Sequence, residues 1–420
     1  MSASRREILR SGLVAGTAVA ATGLGAAARA GGDPLITEVQ EWNRKLGDGV
    51  GTYAYGMPSP HESHVVRRTL PWLTGDATSS SSFTPLHALE GIITPNGLCF
   101  ERHHAGIAAI DAAEHRLMIH GLVDTPLVFT MDDLRRFPRQ SRILFLECAA
   151  NTLTEWQAAQ VNSCQFTHGM LHCVEYTGVS LRHLLAEAGV RPQAEWLLAE
   201  GADAAAMSRS IPIGKALDDC LVAFAQNGEA LRPEQGYPLR LCVPGFEGSM
   251  WIKWLRRLEV GDKPWGQREE TARYTDLMAN GRARIFSFEM DVKSVITSPS
   301  PDVGVRHGNG PMVVSGLAWS GRGKGLISRV DISLDGGRNW RPAEIEEPSL
   351  PMALHRFRAM VEWDGSEVLL QSRAVDGEGY VQPTRAELRA ARGTSSIFHN
   401  NGIQTWLLRP DGSVENVDVS

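Results

Sequence analysis

The sequence predicts an α+β domain followed by an all-β sandwich, and three observations carry that reading. At 420 residues the chain is too long for one compact core and suits two domains. Up to about residue 285, short apolar runs mix with isolated helix signals and show no regular βαβ repeat, the pattern of an α+β domain. From about Phe286 apolar and polar residues alternate in short runs broken by turn signals, which suits a sandwich. The expected organisation is a signal at 1–30, a first domain over 31–285 that begins with an extended arm, and the sandwich over 286–420.

The chain opens with Arg5-Arg6 ahead of a soft Gly/Ala-rich apolar run from Leu13 to Ala28, then Ala28-Arg29-Ala30. Paired arginines, small apolar residues and an A-x-A-like box predict a cleaved twin-arginine signal, and hence a periplasmic protein exported folded. A Pro/Gly-punctuated arm follows to about Pro85 and includes the serine run Ser79–Ser82. Arg142–Glu147 reads as a buried strand that delivers Cys148 to its end. Ser180–Gly189 reads as a helix capped by Ser180, stapled by Val179 and Leu184, and stopped by Gly189. Arg240–Pro244 predicts a strand ended by proline, and the pattern resumes from Met250 to Val260. In the second domain Val330–Leu334 and Leu370–Val375 read as strands, with Asp335-Gly336-Gly337 turning the chain towards Trp340.

Composition narrows the function classes. Hydrophobic residues make up 43% and charged residues 21%, so the chain is ordinary globular protein. A net charge of −6 speaks against nucleic acid as a partner. Beyond the signal no stretch reaches the apolar length of a membrane span. The six cysteines (Cys99, Cys148, Cys164, Cys173, Cys220, Cys242) form neither a zinc knuckle nor a haem-attachment motif. Mostly buried free thiols are expected, with a Cys164–Cys173 disulfide left open. With no haem of its own, the chain would need a separate carrier for any electrons it releases.

Four short motifs carry the chemistry: Phe100-Glu101-Arg102-His103-His104, Leu146-Glu147-Cys148-Ala149-Ala150-Asn151, Gly236-Tyr237-Pro238-Leu239-Arg240 and Trp251-Ile252-Lys253. A lone cysteine is ordinarily a small buried hydrophobe, but a thiolate is also the soft ligand that a redox-active metal needs. Together these motifs resemble the sulfite oxidase family of molybdenum enzymes, from about Phe83 to the C-terminus, and within it the sulfane dehydrogenase branch. The resemblance implies a molybdenum–molybdopterin cofactor with Cys148 as the metal's protein ligand. It implies catalytic roles for Arg102, Cys148 and Tyr274. Arg102 would sit beside the substrate oxyanion, and Tyr274, in Arg273-Tyr274-Thr275, would hydrogen-bond the reacting oxygen. Phe100, Glu101, Arg102, His103, His104, Asp203, Gln235, Arg240, Trp251, Ile252 and Lys253 would line or bind the cofactor. Of these, His104 would reach its phosphate side, Asp203 its pyrimidine ring, and Arg240 and Lys253 its phosphate. Asp203 also reads as an ordinary loop aspartate that caps the chain locally.

Three departures stand out. His103 occupies the place of an asparagine, Gln235 that of a histidine, and Thr152-Leu153-Thr154-Glu155 that of arginines which commonly follow the cysteine motif. The last two remove cations, which suits a substrate presented by a protein better than free sulfite dianion. The resemblance therefore implies a sulfane dehydrogenase that oxidises sulfur held on a carrier protein and passes electrons to a c-type cytochrome. It further implies an immunoglobulin-like C-terminal domain that joins two copies of the chain as a homodimer. Free-sulfite oxidation, a metal-free exported binding protein on the same scaffold, and nitrate or sulfoxide reduction are the alternatives.

Overall fold

The computed structural model describes Leu46, residues 58–306 and residues 308–419. The predicted signal and most of the arm before residue 58 lie outside the described residues. From Pro60 onward the chain packs as one unit with two apolar cores.

The described part of the arm is not a free linker. Strands β1 (Arg68–Thr69) and β2 (Ser82–Phe83) pair antiparallel. The serine run beside them hydrogen-bonds the first motif: Ser82 N–H donates to Glu101 O at 2.9 Å and His103 N–H to Ser80 O at 3.0 Å. A run with few side-chain contacts to offer is thus ordered through its backbone.

Next come β3 (Arg116–Gly121), β4 (Leu127–Thr130), α1 (Met131–Arg136) and β5 (Arg139–Glu147). Then follow α2 (Cys164–His168), β6 (Leu171–Ser180), α3 (Leu181–Ala188), β7 (Trp196–Gly201) and β8 (Ser208–Pro212). The domain continues through α4 (Ile213–Asp218), β9 (Leu221–Gln226), β10 (Glu229–Ala230), β11 (Arg240–Cys242) and β12 (Leu255–Gly261). One sheet runs β10–β9–β6–β5, with β11 also on β9, and a second runs β4–β3–β12–β7–β8. Only β3 and β12 pair in parallel within these two sheets. This is the expected α+β layout, with short helices serving as connections.

Two local expectations need correction. Ser180 occupies the cap position of α3 but makes no side-chain capping bond; Leu181 N–H instead donates to Cys220 O at 3.0 Å. Gly189 does end that helix, at φ +73°. The Met250–Val260 run is strand only from Leu255, because Trp254 adopts φ +53° and breaks the extended path. Backbone bonds from Leu241 N–H to Ile252 O (2.9 Å) and Leu255 N–H to Leu239 O (2.8 Å) hold Trp251-Ile252-Lys253 beside β11 across that kink.

After α5 (Arg268–Thr271), β13 (Asp276–Leu277) and β14 (Ala283–Arg284), the all-β region begins. Its strands are β15 (Lys293–Ser298), β16 (Gly310–Trp319), β17 (Ile327–Ser333), β18 (Arg341–Ile345), β19 (His355–Trp363) and β20 (Val368–Asp376). Helix α6 (Arg385–Arg392) precedes β21 (Thr405–Leu408) and β22 (Val414–Val417). They form one hydrogen-bonded path, β15–β16–β19–β18–β17–β20–β21–β22. Its two halves are joined through β18 and face each other: Ser294 Oγ lies 2.9 Å from Ser372 Oγ, and Trp406 Nε1 donates to Ile296 O at 2.8 Å. The Asp335-Gly336-Gly337 turn links β17 to β18, both glycines having positive φ. The core of this layer pair also takes in Leu86, Phe145, Leu171 and Cys173 from the first region, so the two regions share a packed apolar boundary. All six cysteines are buried free thiols.

Candidate active site

Cys148 stands where β5 ends. Its N–H donates to Met170 O at 3.0 Å, and its carbonyl accepts from Asn151 N–H at 2.9 Å. Asn151 locks the turn, donating to Glu147 Oε1 (3.0 Å) and His168 O (2.9 Å) while accepting from Met170 N–H at 3.1 Å. Gly248 passes so close that a Cβ there would lie 2.9 Å from Glu147 O, so only glycine fits. Burial pushes the Cys148 thiol up to about 11, with the Ala150 N–H and the Arg102 charge pulling the other way. Such a thiol stays protonated at neutral pH unless a metal ion takes the proton's place.

The thiol opens into a cavity walled by several separate segments of the chain. Every site residue expected from the sequence lines it: Phe100 to His104 from the arm-bound segment, Cys148, Asp203 after β7, Gln235, Arg240 on β11, Trp251 to Lys253, and Tyr274. Residues spread over 175 positions converge here because β11 and the Trp251–Lys253 kink run side by side, and the arm lays the first motif against them.

Cationic donors gather in one part of the wall. Lys253 Nζ donates to Arg102 O (3.2 Å) and Glu234 O (3.1 Å) and lies 2.9 Å from His103 Nδ1. Burial lowers Lys253 to about 7, reinforced by Arg240 and opposed by Glu101 and Asp203. Arg240 Nη1 donates to Gln235 O (3.1 Å) and Oε1 (3.2 Å), while its buried Nε has no partner among the described residues. A depressed lysine and an orphaned guanidinium N–H are donors waiting for a buried anion, which fits the phosphate of a pterin cofactor. Gln235 itself donates to Phe100 O at 3.1 Å, so the residue in the histidine's place orients Arg240 and carries no charge. Gly236 makes this close packing possible at φ +109°, where a Cβ would lie 3.0 Å from Lys253 Cβ.

Arg102 is half-buried and donates to the carbonyls of Ser80 (3.4 Å) and His103. His104 Nε2 lies 3.4 Å from the Tyr274 hydroxyl. Burial, followed by Arg102, holds His104 down to about 3, so it is neutral at working pH. The Tyr274 phenol is raised by burial and remains a proton donor. His103, lowered by burial, bonds Glu101 Oε2 at 2.8 Å, which answers what histidine does in the asparagine's place: it bridges Glu101 to Lys253. Asp203 Oδ1 accepts from Met207 N–H at 3.3 Å, a local cap that keeps its carboxylate on the cavity wall.

The segment after Cys148 points elsewhere. Glu155 Oε2 pairs with Arg385 at 2.9 Å and Thr152 Oγ1 accepts from Lys293 at 2.7 Å, so these replacements serve the contact with the all-β region.

Several wall residues went unread in the sequence, among them His172, Met207, Glu234, Ser249 and Trp254. His172 sits opposite Leu146 in the β5–β6 register, a lone histidine in an apolar strand, which was the available signal. Behind the wall lies a buried network with no motif at all. Arg209 on β8 donates to Glu247 Oε1 at 2.7 Å and to Ser249, stacks 5.1 Å from the Tyr274 ring centroid, and is tied through Glu247 to His399 at 2.8 Å.

Comparison with known proteins agrees with this geometry. The oxidoreductase molybdopterin binding domain matches residues 104–269, and the Mo-co oxidoreductase dimerisation domain matches residues 284–406. Sulfite oxidase of Gallus gallus is 32% identical over 320 residues, covering 70% of this chain and 69% of its own length. The mitochondrial sulfite oxidase of Homo sapiens is 31% identical over 336 residues, covering 74% of this chain, which spans 61% of that protein. A crystal structure of the sulfane dehydrogenase SoxCD from Paracoccus pantotrophus superposes with a TM-score of 0.90 at 58% identity, over 92% of this chain and 99% of that one. The chain therefore belongs to the sulfite oxidase family of oxidoreductases, whose cofactor is molybdenum–molybdopterin.

Proposed function

We propose that this chain is the catalytic subunit of a periplasmic sulfane dehydrogenase. It would oxidise sulfur carried on a partner protein's cysteine and pass electrons singly to a c-type cytochrome. The observation that carries the reading is the single cavity joining Cys148, Arg102 and Tyr274 to the Arg240–Lys253–His103 donors, in a chain 58% identical to a sulfane dehydrogenase.

In this reading Cys148 ligates the metal, Arg240 and Lys253 hold the cofactor phosphate, and Asp203 accepts N–H donors from its pyrimidine ring. The bound cofactor supplies two-electron redox chemistry and oxygen transfer to sulfur. Arg102 offers a fixed guanidinium fork to oxygens on the oxidised sulfur. Tyr274, kept protonated, donates its one O–H to the reacting oxygen, while His104, kept neutral, donates Nε2–H to the phenol oxygen and fixes its direction. The oxygen added to sulfur would derive from water, whose two protons would leave with the two electrons. Two cations common in sulfite oxidases are replaced by Gln235 and by Thr152–Glu155, which favours a substrate delivered on a protein. The Arg5-Arg6 signal supports export in folded form, and the match to a dimerisation domain supports a homodimer.

Free sulfite is the second reading, favoured by the identity with sulfite oxidases. Purified holoenzyme would be assayed with cytochrome c, first with sulfite and then with carrier-bound sulfane. Fast turnover of carrier-bound sulfane is expected, and a high rate on sulfite alone would overturn the proposal. Stoichiometric molybdenum in the same preparation rejects a metal-free binding protein.

A further inference from the structure

We infer that the all-β C-terminal region helps to build the metal site: Lys293 and Trp319 are positioning residues that set the Cys148 ligand through Glu147. The inference rests on Cys148 being the metal's ligand.

Glu147 precedes Cys148 in the chain and is fully buried. Its Oε1 accepts from Lys293 Nζ at 3.0 Å and from Asn151 Nδ2 at 3.0 Å, and its Oε2 accepts from Trp319 Nε1 at 2.6 Å. Lys293 lies on β15 and Trp319 on β16, so two of the three donors come from the C-terminal sheet. A carboxylate taken out of water needs such partners, because leaving one unmade costs more than the bond returns.

The grip extends along the whole turn. Phe145 N–H donates to Met352 O at 2.8 Å, and His399 N–H donates to Ala149 O at 2.8 Å. Lys293 Nζ also donates to Thr152 Oγ1 at 2.7 Å, and Asn400 Nδ2 donates to Thr152 O at 3.3 Å. Positions 145, 147, 149 and 152 are therefore each held from the C-terminal region, on both sides of the thiol. Phe145 adds apolar packing at this boundary, and beside it stands a set of directional bonds to the backbone and to the residue adjoining the ligand. Groups that orient a metal ligand act on the metal through it, by fixing its direction and the electrostatics around the sulfur.

The test uses holoenzyme carrying Trp319→Phe, or the charge-neutral pair Glu147→Gln with Lys293→Met. Lys293→Met alone would leave an unpaired buried carboxylate and risk misfolding. Molybdenum content, thermal melting, the Mo(V) EPR spectrum and kcat and KM are read for each. The expected result is near wild-type molybdenum and melting, a shifted Mo(V) spectrum, and kcat lowered ~10-fold or more with KM within about 2-fold. An unchanged spectrum and kcat, with only the melting point lowered, would reduce the contacts to packing and overturn the inference. Cys148→Ser separates the two levels: if that variant keeps the wild-type Mo(V) spectrum and kcat, the ligand assignment itself is wrong.

Discussion

Replacing Lys253 with methionine should leave the cofactor-free fold almost as stable as wild type while removing most of its capacity to hold the cofactor. In the cofactor-free state the lysine is an expensive resident. Its drop from the ordinary 10.5 to about 7 corresponds to at most ~5 kcal/mol of penalty on the charged form. Part of the side chain remains in water, so about half of that, ~2 kcal/mol, is the fair figure. Against it stand three contacts of Nζ, with Arg102 O, His103 Nδ1 and Glu234 O, at 2.9 to 3.2 Å. At ~1 kcal/mol each these return on the order of 3 kcal/mol. Nζ also lies 4.4 Å from the Trp254 ring centroid, where a methionine thioether can pack in its place, so the net change in unfolding free energy should stay within ~1.5 kcal/mol of zero. With the phosphate bound the balance reverses, because the ammonium then faces a buried anion, and cofactor retention should fall ~10- to 100-fold. Urea unfolding of cofactor-free protein measures the first quantity, and pterin and molybdenum content after maturation measure the second. A stability loss above ~3 kcal/mol would mark Lys253 as a structural strut and refute the reasoning. So would wild-type pterin content in the variant.

Three further outcomes follow from the same geometry. Cys148→Ser should abolish turnover, yet leave the C-terminal sheet intact by near-ultraviolet circular dichroism, since Trp319 and Trp406 are buried well inside it. Gly236→Ala should cost ~1–3 kcal/mol, because its φ of +109° admits no Cβ without strain and the new methyl meets Lys253; a neutral substitution would show that the backbone shifts freely to admit the methyl. For His104 the folded value of about 3 lies below the ordinary 6.5, so the unfolded chain takes up a proton first as pH falls. Stability of the cofactor-free protein should therefore be greatest above pH 6.5 and decline towards pH 4, by less than ~1.4 kcal/mol per pH unit. His104→Gln should flatten that decline in urea titrations at pH 6.5 and 4.5, and an identical slope would show that other groups carry it.

Much of the lining of the candidate cavity was legible in local sequence. The strand ahead of Cys148, the Gly236–Arg240 turn and the Phe100–His104 segment are short, and each is dictated by chemistry a few residues wide. An apolar run delivers the thiol, a glycine supplies positive φ, and cationic donors gather on one part of the cavity wall. The sandwich was readable for the same reason, since alternation with period two is a local pattern. Its folding about β18 was not, because strand order is settled by which edges meet.

What the chain determined by itself was therefore the list of chemical groups and the class of each domain. Only tertiary structure decided how they are supported: Arg209 and His399 carry no motif and lie far from the cysteine in sequence, and Glu147 reads as one more residue in a strand. Their meaning comes from burial, which turns an unremarkable carboxylate or guanidinium into a group that must find a partner. Those partners lie tens to hundreds of positions away, on strands that only the folded core brings within reach.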